Sequence, residues 1–520
     1  MSHKNILFIV ADDLGKYLGC YGSTSVVTPS IDALASKGTK FDNAFASTAS
    51  CSGSRSTIYT GLHTHENGQY GLSVYKTHFQ TFPHIETAPA LFNHAGYLTG
   101  IIGKIHVGPE TVYPWTHRQE SESRDVAWVA DQCEAFFSKA KSDDKPFYLT
   151  VGFVDPHRDV RTRGRFGNEE VFDERVKHLQ VSEDEVEVPP WLTDLPETRG
   201  ELKEYYKAIN RTDQGVGFIL SALERQGLSD STLVIFTSDN GPPFINAKTT
   251  LYDAGTCLPF IVRNPYVPES IGITNPNMVS FIDILPTLLD YAKIDPDSLR
   301  LKNKPVGGGV SIYAKGNQVS PPRRGRSFLP ILDRADVAPE SSWQHYVFGS
   351  HTFHELQNYW PTRVLRTRKW KYHRNIAWRL DFPFASDLYA SYTFEGIRNN
   401  PDENGNAMIG SRSLKNYLFR PAEELFDLEN DPDEVNNLST SQDPEIRKIL
   451  AGLRLTLEQW QQDTKDLWLF RDGASLSFLE RYKDDGLQIP DRFDIDVEDP
   501  TVQGKQILGV STKWDLKELP

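Results

Sequence analysis

Short apolar runs that stop abruptly at polar residues recur through the first half of the chain. Residues 4–11, Lys-Asn-Ile-Leu-Phe-Ile-Val-Ala, have the length and unbroken hydrophobicity of a strand covered on both faces, and they end at Asp12-Asp13-Leu14-Gly15. The pattern repeats over 98–103, ending at Lys104-Ile105-His106; over 146–153, ending at Asp155-Pro156-His157-Arg158; and over 232–238, ending at Asp239-Asn240-Gly241. Helices are expected between these runs, over 28–38 with Pro29 near its start and Gly38 at its end, and over 87–95, 127–140, 201–226 and 281–294. One strand that ends in polar residues is ordinary. Four of them, with carboxylates and bases divided among their ends, describe a single site on one edge of a parallel sheet.

Beyond about residue 300 the texture changes. Residues 302–326 are rich in Gly, Pro and Arg and read as a loop; 346–349, 363–366, 370–372 and 424–428 read as short strands joined by turns, with a helix over 444–464 to cover them. The charged, proline-containing stretch 159–196 reads as a surface insertion. The expected fold is therefore α/β: a large, mainly parallel sheet sandwiched by helices over residues 1–360, with a smaller antiparallel-sheet domain over 361–520.

Composition narrows the function. Of 520 residues, 38% are hydrophobic and 24% charged, which are globular values. Against 56 Lys and Arg stand 70 Asp and Glu, a net charge of −14, which argues against a nucleic-acid or anionic-membrane partner. An anionic substrate would need a local basic pocket. Cys20, Cys51, Cys133 and Cys257 show no pairing or metal-type spacing, and the first apolar run is too short for a signal-peptide core, so a cytoplasmic location is expected. No stretch reaches transmembrane length.

The candidate chemistry centres on residues 48–62, Thr-Ala-Ser-Cys-Ser-Gly-Ser-Arg-Ser-Thr-Ile-Tyr-Thr-Gly-Leu. This reads as a loop entering a helix with Cys51 at its N-terminus, where unpaired backbone N–H groups favour an anion. Arg55 lies one turn on, on the same face. The segment alone reads equally as a buried structural cysteine with a surface arginine. Asp12, Asp13, Asp239 and Asn240 are hard oxygen ligands that favour Ca2+, with Mg2+ or Mn2+ as alternatives, over zinc. Arg55, Lys104, His106, His157 and Lys248 would form a cationic lining able to hold an oxyanion at sulfur or phosphorus, with a histidine protonating the leaving group.

Cys51-Ser52-Gly53-Ser54-Arg55 followed by Thr60-Gly61 resembles the C-x-P-S-R and T-G signature of the type I sulfatases, in which the cysteine is oxidised to formylglycine (3-oxoalanine). Gly53 departs from it, standing where that family has proline or alanine. Residues 99–114, 155–158, 211–217, 236–241, 348–351 and His354-Glu355 are similar to the branch of the family that acts on N-sulfated sugars. The resemblance implies an alkaline-phosphatase-like fold, calcium held by Asp12, Asp13, Asp239, Asn240 and the modified Cys51, and sulfate-binding or acid/base roles for Arg55, Lys104, His106, His157 and Lys248. It further implies that Arg158, His351, His354 and Glu355 meet the rest of the substrate. The implied activity is release of sulfate from a sulfamate sugar through a covalent intermediate, with His157 as first choice of acid. Alternatives are an arylsulfatase or O-sulfatase, a phosphonate or phosphodiester hydrolase on the same fold, and a silent binder of sulfated sugars. The implied partners are a small sulfated substrate and a formylglycine-generating enzyme; a homodimer is left open.

Overall fold

The first apolar run, β1 (Asn5–Ala11), is completely buried, because it lies between two strands and between two layers of helices. A computed structural model describes residues 4–74, 76–295 and 320–469, with 482, 485 and 486. In it β1 joins β2 (Thr39–Phe45), β3 (Leu98–Gly103), β4 (His117–Glu120), β5 (Phe147–Gly152), β6 (Thr232–Ser238), β7 (Phe260–Arg263) and β8 (Ile273–Ser280) in one sheet. The strand order is β4-β3-β5-β1-β6-β7-β2-β8. Only β7 runs against its neighbours, β6 and β2; every other pairing is parallel.

Alternation along β1 builds both cores. Leu7, Ile9 and Ala11 face one apolar cluster, filled by the helices Pro29–Ser36, Val126–Ser142 and Pro196–Arg225; Ile6, Phe8 and Val10 face the other, filled by the helices Cys51–Thr60, Ala88–His94 and Ile284–Ala292. The 159–196 stretch is more than a surface insertion, since Phe166, Val176, Val186 and Leu192 are buried in the first cluster.

Since β1, β3, β5 and β6 run the same way, the polar residues after each arrive at one edge of the sheet. The end of β2 arrives there too, and leads directly into the Cys51–Thr60 helix.

A second, antiparallel sheet has the order β14-β11-β10-β9, from β9 (Tyr346–Phe353), β10 (Tyr359–Thr367), β11 (Trp370–Asn375) and β14 (Glu423–Asp427); β12 (Met408–Ile409) and β13 (Arg412–Ser413) form a separate hairpin. Leu450, Leu453, Leu457 and Trp460 of the helix Pro444–Asp463 cover Leu365, Trp370, Tyr372 and Leu425. This sheet begins at Tyr346, ahead of residue 360, and its first strand is hydrogen-bonded to the large domain through Ser350 N–H and the Ser47 carbonyl at 2.8 Å. Residues 302–319 of the expected loop lie outside the described residues. Among the described residues no helix is long and apolar enough to cross a membrane.

Candidate active site

Ser50 is extended (φ −144°, ψ 131°) and Cys51 opens a helix that ends at Gly61, whose φ of 66° suits a residue without Cβ. Instead of capping that helix, the Ser50 hydroxyl pairs with His354 Nδ1 at 2.9 Å. Cys51 is buried, its Sγ 3.8 Å from Asp13 Oδ1, and burial followed by the charge of Asp12 pushes its thiol well above the ordinary range. One turn later Arg55 projects the same way. Its Nε donates to Asp239 Oδ2 at 2.8 Å, its Nη1 to the Lys104 carbonyl at 3.2 Å, and its Nη2 lies 3.7 Å from Asp12 Oδ1, so three strand ends meet on one guanidinium.

The acidic group is held by its backbone. Asp13 adopts φ 62°, a conformation that non-glycine residues take up mainly where surrounding structure enforces it. Here Tyr205 Oη donates to the Asp13 carbonyl at 2.8 Å, and Asp13 N–H donates to Asp239 Oδ1 at 3.2 Å. One ligand atom each from Asp12, Asp13, Cys51 and Asp239 lies within 4.8 Å of the others. Asn240 Nδ2 donates to Asp13 Oδ1 at 2.7 Å. Among the described residues, Asp12 Oδ1 and Asn240 Oδ1 are buried with no hydrogen-bond partner. Burial opposes the charge of Asp12, yet Lys104, His157 and Arg55 hold it well below the usual carboxylate range, while burial and the adjacent Asp12 raise Asp239 to about 8. Crowded carboxylates with orphaned oxygens are a donor set that a divalent cation fits.

Cationic groups close the other side. Lys104 Nζ is bonded to Asp12 Oδ2. Lys248 Nζ contacts Asp13 Oδ2 at 2.8 Å, Asp387 Oδ2 at 3.0 Å and His157 Nε2 at 3.2 Å. Against the Arg158 carbonyl, 2.7 Å away, His157 Nδ1 must be the protonated nitrogen, which turns Nε2 toward Lys248. Burial, and then Lys248, lower its affinity for a second proton. His106 has φ 57°, and burial and then Lys104 hold it neutral.

The residues expected at the substrate rim divide. His354 sits behind Ser50, and His351 Nδ1 contacts Thr48 Oγ1 at 3.0 Å, so both buried rings brace the loop ahead of Cys51. Glu355 is half-buried and accepts from Ser386 Oγ and Gln357 Nε2, both at 2.6 Å. Arg158 is buried. Its Nη1 and Nη2 grip Glu201 at 2.8 and 2.9 Å and its Nε donates to the Pro243 carbonyl at 2.7 Å, so its fork is turned into the fold and not toward a ligand. Sequence reasoning missed Asp387, which the short helix Ser386–Tyr389 places against Lys248. Nothing local marks it, since Ser-Asp-Leu-Tyr reads as an ordinary turn or helix start.

Comparison with known proteins agrees with this geometry. The sulfatase family model matches residues 4–294. The chain is 36% identical over 481 residues to human N-sulphoglucosamine sulphohydrolase, covering 90% of this chain and 91% of the relative. It is 29% identical over 474 residues to an ulvan-active sulfatase of Formosa agariphila, covering 89% and 81%. The crystal structure of a sulfatase from Bacteroides fragilis superposes with a TM-score of 0.63 at 20% identity, covering 90% of this chain and 97% of that one. The chain belongs to the sulfatase family of hydrolases.

Proposed function

We propose that this sulfatase hydrolyses the sulfamate of an N-sulfated amino sugar. The observation that carries the reading is the 36% identity to the human sulphohydrolase, spread over 90% of the chain rather than confined to the Cys51 segment. The pocket chemistry supports it.

Asp12, Asp13, Asp239 and Asn240 would hold the cation, Ca2+ by preference because several carboxylates and an amide suit a flexible shell of six or more oxygens, and its charge would neutralise the sulfuryl oxygens. Formylglycine, made from Cys51 by a generating enzyme, would supply there a hydroxyl nucleophile and a second hydroxyl with which to release sulfate. Around these, the chain's own residues set the geometry. Arg55, Lys104 and Lys248 are fixed by Asp239, Asp12 and Asp13, and present positive charge to the anion without having to reorganise. His157 is oriented through Nδ1, so a proton carried on Nε2 is aimed at the departing atom; an arriving anion adds negative charge beside it and offsets the lowering by Lys248.

Gly53 is compatible with this reading. A Cβ there would stand 2.9 Å from Thr48 Cγ2 and 3.3 Å from Thr64 Cγ2, so the departure from the family signature goes with a threonine packed into the space that proline or alanine would fill. The test is to co-produce the chain with a formylglycine-generating enzyme, follow the Cys51 peptide by mass spectrometry, and measure sulfate release from N-sulfoglucosamine, an aryl sulfate and a phosphodiester side by side. Aldehyde at position 51 with preferred turnover of N-sulfoglucosamine is expected. Aldehyde with turnover of only the other two would overturn the sulfamidase reading.

A further inference from the structure

Asp387 faces Lys248 from the short helix Ser386–Tyr389, outside the large sheet. Its Oδ1 accepts the Leu388 N–H at 3.0 Å, which fixes the rotamer, and its Oδ2 faces Lys248 Nζ at 3.0 Å. One ligand atom each from Asp13, His157 and Asp387 lies within 4.8 Å of the others. Lys248 Nζ touches all three residues and supplies the positive charge that a metal would otherwise bring to this second cluster.

Depth distinguishes the members. The side chains of Asp13 and Lys248 are 0% and 1% exposed, whereas those of His157 and Asp387 are 18% and 17% exposed. Asp13 and Lys248 therefore form the floor with Cys51, and His157 and Asp387 form a pair at the mouth. A sulfuryl group held on the floor by Arg55 and Lys248, with Lys104, 16% exposed, reaching it from the side, has its leaving atom on the side away from position 51, as in-line displacement requires. That side is the mouth, between His157 Nε2 and Asp387.

We propose that Asp387 selects sulfamates over sulfate esters by accepting a hydrogen bond from the N–H that bridges sulfur to the sugar; this rests on the sulfamidase reading. A bridging nitrogen carries a hydrogen that a carboxylate can accept, and an ester's bridging oxygen presents only lone pairs, which a carboxylate repels. A site built to satisfy a donor rejects the analogue that lacks it far more strongly than an apolar site rejects a missing methylene. In the displacement, a hydroxyl supplied at position 51 would take nitrogen's place on sulfur and give up its own proton to solvent water. The S–N bond breaks with its electron pair left on nitrogen, and the proton on His157 Nε2 moves to that nitrogen. The departing amine then takes up a further proton from water as an ammonium facing Asp387, a product charge that an alcohol leaving group never develops.

The experiment compares wild type with Asp387→Asn, both confirmed by mass spectrometry to carry the aldehyde at position 51. The substrates are N-sulfoglucosamine and the matched glucose sulfate ester, in which oxygen replaces the bridging NH. Wild-type turnover of the sulfamate tests the reading beneath the proposal, and its absence sinks both. Given that turnover, D387N is expected to lower the sulfamate-to-ester ratio of kcat/KM by about tenfold or more, with part of the loss in kcat. Product inhibition by glucosamine is expected to weaken in D387N, and inhibition by glucose to stay unchanged. An equal fall on both substrates with an unchanged ratio would show that Asp387 only positions Lys248, and would overturn the proposal. If D387N does not fold, Asp387→Glu, which keeps the charge but moves it by one methylene, is held to the same ratio.

Discussion

Lys248 joins the two halves of the site: the deep carboxylates and the outer pair of His157 and Asp387 share its three donors. Removing its charge strands Asp13 and Asp387 without their ammonium and takes one cation from the wall of the pocket. Lys248→Met is therefore expected to reduce kcat/KM by about a hundredfold or more while the fold survives, measured as sulfate release alongside melting temperature. At Gly53 the issue is space, since an added Cβ would press on Thr48, whose hydroxyl holds His351. Gly53→Ala is expected to destabilise by about 1–2 kcal/mol, and Thr48→Ser in the same chain to restore most of it by removing the Cγ2 methyl. Denaturant midpoints of the two variants decide this; equal stability of G53A and wild type would show that the threonine moves aside freely.

Among the elements, the long helix Pro196–Arg225 does more than cover the sheet. Its Glu201 takes both ends of Arg158, which follows β5, and also accepts from Tyr392 N–H at 2.9 Å and Thr393 Oγ1 at 2.7 Å. Four residues back from Thr393 the helix carrying Asp387 ends at Tyr389. Two buried charges thus clamp the loop of His157 and the segment of Asp387 to one helix. Arg158→Met leaves Glu201 buried without its guanidinium, and a loss of about 3–5 kcal/mol is expected, read by denaturant unfolding. The same helix places Arg211 on Asp155, which also receives Arg124, so the turn after β5 is fixed from two sides.

For the whole molecule, the seam around the two sheets is lined with buried neutral histidines. Burial, first among causes, lowers His65 to about 4 and His351 and His373 to about 3, and moves His63 and His354 the same way. Above pH 6.5 such a group is neutral folded or unfolded and contributes nothing. Below it the unfolded chain takes up protons that the fold refuses, so stability falls by about 1.4 kcal/mol per pH unit per histidine until the folded value is reached. Glu66 and Asp283, both raised to about 7 chiefly by burial, act in the opposite sense as pH falls from 7 toward the unfolded carboxylate range, and so do Asp213, Asp239, Asp433 and Glu434, which burial also raises. With His84, His106 and His157, also lowered chiefly by burial, the histidines outnumber these carboxylates, and the melting temperature is expected to drop between pH 6.5 and 4. His373→Phe removes a ring whose two nitrogens have no hydrogen-bond partner among the described residues; it is expected to flatten that drop, as thermal scans across this range would show. Loading the acidic cluster stabilises the fold by mass action. Added Ca2+ is expected to raise the melting temperature and a chelator to reverse it, with Asp12→Asn abolishing the response.

Much of this was legible along the chain, because strand-ending polar residues and the spacing of Cys51 and Arg55 are local consequences of a buried parallel strand and of a helical turn. The four polar strand ends and the Cys51 helix needed only hydrophobic runs to be found, and the structure sets them on one edge. The strands β2, β4, β7 and β8 were not legible: Thr-Lys-Phe-Asp-Asn-Ala-Phe over β2 and His-Arg-Gln-Glu over β4 lack a continuous apolar run, and become strands by pairing with neighbours. Nor could local pattern say where a long side chain turns. Arg158 stands next to His157 in sequence yet reaches into the fold for Glu201, while Asp387, far along the chain, comes up against Lys248. The sequence alone determined four of the parallel strands, the helix that Cys51 opens and the charges available to one site. The tertiary structure decided which of those charges face the pocket, because a buried charge goes where a partner of opposite sign has also been buried.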